Sequence, residues 1–237
     1  MKAIHMTAPG PADEVLQLVD VPAPQITRPT QIRVQLRAAG VNPIDTKLRS
    51  RGIFYPDGLP AILGCDGAGI VTDTGSEVTG LRPGDAVWFC HGGLGGAPGN
   101  YAEFTVLEQA VACRMPESLD FTAAAALPLV AITAWEALFD RAGLGDGQTV
   151  LIHAGAGGVG HVAIQLARSV GARVATTVST VAKAEFVREL GAEKIIDYRR
   201  QDITAQIMDW TGGRGVDVVL DTVGGETFRQ SLSAARV

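Results

Sequence analysis

The stretch Thr149 to Gly171, TVLIHAGAGGVGHVAIQLARSVG, constrains the fold more than any other part of the chain. An apolar, β-rich run from Val150 to Ile152 meets a cluster of glycines. The cluster opens a segment whose apolar residues Val159, Val162, Ala163, Leu166, Ala167 and Val170 recur at helical spacing. The pattern predicts strand, tight turn and helix. Gly155, Gly157 and Gly160 spell G-x-G-x-x-G. In such a turn the first glycine permits the sharp bend, the second lets backbone approach a pyrophosphate, and the third lets helix pack closely on strand. Around Ala156, the amides of Gly157, Gly158 and Val159 are expected to face an anion at the positive helix end. Gly171 is expected to close the helix. A bare structural turn would use glycine too, but the strand before and the helix after make dinucleotide binding the stronger reading.

Beyond Gly171 the chain keeps the same alternation. Strands are predicted at Thr149 to His153, Arg173 to Val178, Lys194 to Asp197 and Val216 to Asp221, separated by helices reaching Val170, Val181 to Leu190 and Ile203 to Trp210. This is a doubly wound parallel sheet, and in the order 3-2-1-4-5-6 the strands present are the first four. The ligand crevice then falls between strands 1 and 4. The sequence ends at Val237, inside the helix after the fourth strand, so the sheet is expected to be incomplete and the chain to be part of a longer one.

Residues 1 to about 120 read differently, as short strands cut by glycine and proline: Lys2 to Met6, Ile32 to Ala38, Gly69 to Thr72, Ala86 to Phe89 and Ala102 to Val106. They predict an irregular β domain. GGLGGAPGN, Gly92 to Asn100, reads as a flexible loop. The alanine-rich run Thr122 to Leu138 is helical in propensity, with Pro128 as a break between two pieces. The boundary is drawn there, giving domains 1–125 and 126–237.

Composition narrows the function classes. With 237 residues, 46% of them hydrophobic, the chain can bury a core, and its net charge of −5 offers no general attraction to nucleic acid. No apolar run approaches membrane-spanning length and no leader is evident, so a cytoplasmic location is expected. Cys65, Cys90 and Cys113 are odd in number and far apart, which suggests reduced thiols rather than disulfides or a zinc knuckle.

The choice of nucleotide depends on the end of the second strand. An NAD site places an acid there, about 20 residues after the first glycine, to hold the ribose hydroxyls. Here the region reads VATTVST, without an acid from Val174 to Thr180. Ser179 and Lys183 instead suit the extra phosphate of NADP. Tyr198, Arg199 and Arg200 could border the same pocket. Solvated surface charge is the competing reading for Lys183 and the two arginines.

These residues resemble the medium-chain dehydrogenase/reductases, specifically the zinc-less quinone oxidoreductase branch that includes ζ-crystallin. The likeness rests on AAGVNPIDTKLR (Ala38 to Arg49), LGCDGAGIV (Leu63 to Val71), GLRPGDAV (Gly80 to Val87), GNYAEFTV (Gly99 to Val106), LPLVAITAWEAL (Leu127 to Leu138) and HAGAGGVG (His153 to Gly160). It implies an α/β protein in which a GroES-like catalytic domain precedes a Rossmann domain, with NADPH in the cleft between them. It further implies a C-terminal segment, absent here, that completes the sheet. Zinc-dependent members place ligands where this chain has Asn42, Cys65 and a residue near Leu129, so no metal is expected.

By the same resemblance Asn42 hydrogen-bonds at the nicotinamide and substrate end, although locally it also reads as a turn asparagine before Pro43. Thr133 approaches the nicotinamide, or is a helix hydroxyl bonded to the preceding turn. Lys47 stands where the best-known quinone reductases carry tyrosine and where similar alkenal and enone reductases carry lysine. Its ammonium could stabilise an enolate oxygen, pair with cofactor phosphate, or face water. The reaction implied is metal-free hydride transfer from NADPH to a quinone or an α,β-unsaturated carbonyl, by an enzyme expected to be a homodimer. Alcohol dehydrogenation and a non-catalytic, crystallin-like NADPH binder are the alternatives.

Overall fold

The computed structural model describes residues 1–236, apart from the side chain of Pro56; Val237, where the predicted second domain ends, lies outside them. The chain divides into two compact units, Met1–Leu129 and the residues from Val130 onward. Among the described residues no helix is long and apolar enough to cross a membrane.

The first unit holds strands β1 (Lys2–Met6), β2 (Leu16–Asp20), β3 (Gln31–Ala39), β4 (Ala61–Ile62), β5 (Asp66–Thr74), β6 (Ala86–Cys90), β7 (Phe104–Glu108) and β8 (Ala112–Arg114). Its helices are α1 (Ala12–Val15), α2 (Pro43–Arg51) and α3 (Phe121–Ala125), and α4 (Pro128–Trp135) begins at its end. The strands form a five-stranded sheet, β7-β3-β5-β6-β8, and a three-stranded one, β2-β1-β4. Alternation explains the larger sheet: β6 and β7 bury every second residue. Ile32, Val34, Val71, Val87, Phe89 and Leu107 fill one core from that alternating face. The predicted strand from Ala102 starts instead at Phe104, because Ala102 bridges Ala3 in the other sheet. Pro128 opens α4, where its missing N–H costs nothing.

The second unit is the predicted parallel sheet. Strands β9 (Thr149–Ile152), β10 (Arg173–Val178), β11 (Lys194–Asp197) and β12 (Val218–Leu220) lie in the order β11-β10-β9-β12, which is 3-2-1-4. Helices α5 (Gly158–Ser169), α6 (Val181–Glu189), α7 (Ile203–Thr211) and α8 (Glu226–Ala234) alternate with them. All four residues of β9 are buried, as a central parallel strand covered on both faces requires. Gly171, at φ +80°, turns the chain at the end of α5. β12 is shorter than predicted because Val216 bridges Ala235 and the Asp217 carboxylate accepts from the Thr149 N–H and hydroxyl, each at 2.8 Å.

One expectation fails outright. Gly92 to Asn100 is not a flexible loop: Gly93, Gly95, Gly99 and Asn100 are buried. Asn100 Nδ2 lies 3.0 Å from each of the carbonyls of Gly64, Cys65 and His91. The glycines serve close backbone packing here, which composition alone does not distinguish from mobility.

Candidate active site

The phosphate end is built on the turn after β9. Ala154 adopts φ +53°, a left-handed conformation that costs an L-residue about 1 kcal/mol. It is held from both sides, its N–H donating to Thr177 Oγ1 at 3.0 Å and its carbonyl accepting from the Gly157 N–H at 2.8 Å. The sharp turn therefore lies at Ala154, not at Gly155. Gly155 must be glycine for another reason: a Cβ there would stand 2.0 Å from Thr176 Oγ1. A Cβ on Gly160 would stand 2.3 Å from the Ala154 carbonyl, in keeping with close packing of helix on strand.

Gly157 is exposed, and the nearest heavy atom to a Cβ there is 3.1 Å away. A Cβ there would press on the Ala154 carbonyl alone, and the rest of its surroundings is solvent. The expected trio of anion-facing amides is corrected, since the Gly157 N–H is already taken by Ala154. The first bond into α5 runs from the His161 N–H to the Gly157 carbonyl at 3.1 Å, so the amides of Gly158 and Val159 precede any helical acceptor.

At the carboxyl end of β10 a cleft of about 140 Å³ gathers Ala156, Gly157, Ser179, Lys183 and Tyr198, five of the predicted residues, with Ala154, Thr177 and Val178. Among the described residues no carboxylate lines it. Lys183 Nζ lies 3.5 Å from Ser179 Oγ, on the first turn of α6, and Tyr198 is half exposed. Arg199 and Arg200 do not line the cleft; Arg200 pairs with Asp197 at 3.7 Å. A larger cavity of about 390 Å³ lies at the opposite ends of the strands, by Thr149, Arg173 and Asp217. Open α/β sheets bind ligands at the carboxyl ends, which favours the smaller cleft. Thr177 and Ala154 escaped the sequence reading. The Thr176-Thr177 pair inside an apolar strand was the available signal.

In the first unit Asn42 precedes α2 and is 6% exposed. Its Nδ2 donates to Asp66 Oδ2 at 2.8 Å, and its backbone N–H donates to Asp45 Oδ2 at 2.8 Å. Asp45 Oδ2 also accepts from the Tyr101 hydroxyl at 2.9 Å. Asp66 is wholly buried, and its Oδ1 accepts from the Leu129 N–H at 2.9 Å. Burial raises the Asp66 pKa, opposed by hydrogen bonds from Asn42, the Leu129 amide and the Cys90 thiol. Burial pushes the Cys65 thiol up to about 11 and that of Cys90 to about 12, so neither is a thiolate at neutral pH.

Lys47, on α2, is exposed. Thr133 is exposed on α4. Among the described residues no group of three or more His, Cys, Asp or Glu is placed to hold a metal ion.

A two-sheet β unit followed by a parallel sheet with a glycine turn is the architecture of the alcohol-dehydrogenase-like oxidoreductases. Residues 28–117 match the alcohol dehydrogenase GroES-like domain and residues 158–237 the zinc-binding dehydrogenase family. The quinone oxidoreductase of Pseudomonas aeruginosa is 39% identical over 231 residues, which cover 98% of this chain and 69% of that protein. The chain belongs to the medium-chain dehydrogenase/reductases, in their quinone oxidoreductase branch.

A phenolphthiocerol synthesis polyketide synthase of Mycobacterium bovis is 42% identical over 230 residues, 95% of this chain and 10% of that protein. Among solved structures, the Escherichia coli quinone oxidoreductase complexed with NADPH superimposes with a TM-score of 0.87 at 35% identity, over 100% of this chain and 70% of that one. An NAD-dependent alcohol dehydrogenase gives 0.92 at 34%, over 100% and 75%. A 2-haloacrylate reductase gives 0.83 at 34%, over 100% and 70%. The chain spans 69% and 65% of the lengths of the Pseudomonas and Escherichia quinone oxidoreductases. These relatives make it an oxidoreductase chain that uses a nicotinamide cofactor.

Proposed function

We propose that the protein is an NADPH-dependent, metal-independent reductase that delivers hydride to a quinone or an α,β-unsaturated carbonyl. The observation that carries this reading is the cleft at the end of β10, which presents Lys183, Ser179 and Tyr198 and no carboxylate. A phosphate on the adenosine ribose would meet an ammonium and two hydroxyls there, whereas an acid would repel it. The residues fit the nucleotide at its other phosphates too: the amides of Gly158 and Val159 lack helical acceptors, and the exposed backbone at Gly157 carries no side chain to hold a diphosphate away.

Bound NADPH would supply the hydride, and the protein would supply binding and electrostatics. Hydride addition at the β-carbon leaves negative charge on the carbonyl oxygen. The Lys47 ammonium, exposed on α2, stabilises that charge, and a proton from solvent completes the reduction. Asn42, whose amide donates to Asp66, would hydrogen-bond at the nicotinamide and substrate end. Thr133, exposed on α4, would help hold the nicotinamide. Metal independence is supported by the residues at the zinc-ligand positions of zinc-dependent relatives: Asn42 and the Leu129 region offer no donor of the kind zinc prefers, and Cys65 alone cannot hold it. The 2-haloacrylate reductase, whose name specifies a conjugated substrate, supports the unsaturated-carbonyl branch.

The likeness to an NAD-dependent alcohol dehydrogenase favours a second reading, oxidation of an alcohol with NAD. Oxidation of NADPH is followed by its absorbance, with a quinone, an alkenal, or neither present. Turnover with either acceptor, with NADPH preferred over NADH, is expected. Tight NADPH binding without turnover would favour a non-catalytic binder, and preference for NAD with an alcohol would overturn the proposal.

A further inference from the structure

His153 immediately precedes the left-handed Ala154 and is only 1% exposed, yet neither the glycine motif nor the proposed reaction gives it a role. Its surroundings are polar on both sides. Nδ1 lies 3.4 Å from Thr177 Oγ1, and Nε2 lies 3.1 Å from Ser231 Oγ on α8.

The tautomer is set by what each hydroxyl already does. Ser231 Oγ lies 2.7 Å from the Thr227 carbonyl and 3.3 Å from Asp221 Oδ2. The Thr227 carbonyl, the shortest of these contacts, takes its one proton, so toward His153 the hydroxyl accepts and Nε2 carries the imidazole proton. Nδ1 is then a lone pair and must accept from the Thr177 hydroxyl. Thr177 Oγ1 in turn accepts from the Ala154 N–H at 3.0 Å. One directional chain results, from the Ala154 N–H through Thr177 to His153 and on through Ser231.

The far end of the chain is another turn. Asp221, directly after β12, accepts from the amides of Val223 and Gly224, each at 2.9 Å, and from Thr227 Oγ1 at 3.0 Å. β9 and β12 are neighbours in the sheet, and the connections after them leave at the switch point where open α/β sheets take their ligands.

We propose that His153 is a positioning residue of the nucleotide site, linking the turn after β9 and the turn after β12 into one hydrogen-bonded unit. Its effect reaches the nucleotide through Ala154. The left-handed alanine persists only because its surroundings hold it, and its carbonyl fixes the Gly157 amide and so the start of α5. The carboxamide of glutamine can offer both an acceptor and a donor in place of the ring, and leucine offers neither.

The test compares His153→Leu, His153→Gln and wild type on the full chain, by amide hydrogen exchange at Ala154 without ligand and by NADPH titration. The binding readout rests on the proposed nucleotide site, but the exchange readout does not. In His153→Leu, Ala154 exchange should quicken by about five-fold and the NADPH Kd should rise by a similar factor, as loss of one hydrogen bond implies. His153→Gln should recover most of both. If His153→Leu does not fold, Ser231→Ala breaks the chain at its next link and is expected to quicken Ala154 exchange by a smaller factor. Unchanged Ala154 exchange in a folded His153→Leu, or equal damage from Gln and Leu, would overturn the proposal. Wild-type protein that binds no NADPH would sink the nucleotide reading alone, and the exchange data would still decide the relay.

Discussion

Two glycine-rich segments, each preceded by a histidine that burial holds below its ordinary pKa, do opposite things. In Gly92 to Asn100 the space beside the glycines is filled by the protein itself: a Cβ on Gly93 would stand 2.7 Å from the backbone of Gly64, and one on Gly99 would stand 2.3 Å from the Leu63 carbonyl. In the turn from His153 to Gly160 the same is true of Gly155 and Gly160, but Gly157 is exposed, and a Cβ there would meet only the Ala154 carbonyl, tightly, at 3.1 Å. Glycine that packs is structural, whereas glycine facing unfilled space is where a ligand can approach the chain.

The largest effect is expected where that contrast is sharpest. Gly93→Ala combines a left-handed backbone, φ +78°, with a backbone clash, and should cost about 3 kcal/mol in chemical denaturation. Gly157→Ala, with one tight contact to the Ala154 carbonyl, should lower the denaturation midpoint far less than Gly93→Ala while weakening NADPH binding about ten-fold. A Gly157→Ala protein as unstable as Gly93→Ala would erase the distinction between the two segments. Lys183→Ala sharpens it, since the NADPH Kd should rise about five-fold, one exposed charge contact being worth roughly 1 kcal/mol, while the NADH Kd stays put. A parallel loss for both nucleotides would place Lys183 away from the adenosine phosphate.

The smallest effect is in acid. Burial lowers the pKa of His153 and of His91 in the folded protein, so the unfolded chain takes up these protons first as pH falls. Their contribution to stability is complete above the ordinary value of about 6.5. It is lost as pH drops below that toward the depressed folded values, by at most about 1.4 kcal/mol per pH unit for each group. Denaturation of His153→Gln between neutral pH and pH 5 should show a shallower decline than wild type. An identical slope would mean that His153 does not titrate on unfolding.

Much of the second unit was legible because its signals are local. Apolar runs of strand length, helical spacing and terminal glycines act within a few residues of one another, so β10 and β11 appear with the predicted bounds and the sheet takes the predicted order. The first unit was legible only as β-rich. Which sheet Ala102 joins depends on Ala3, nearly a hundred residues earlier. Asp66 reads locally as one more acid, and only the folded chain brings its carboxylate to the amides of Asn42 and Leu129.

By itself the sequence determined the alternation of strand and helix, the place of the glycine turn and the absence of an acid at the end of β10. Each is a property of neighbours along the chain. The tertiary structure alone decided which glycines are packed and which are open, that Ala154 rather than Gly155 makes the turn, and that His153 is tied to Ser231. A glycine's local preferences are the same whether protein or empty space lies across from it, and a histidine's tautomer depends on hydroxyls that only folding brings within reach.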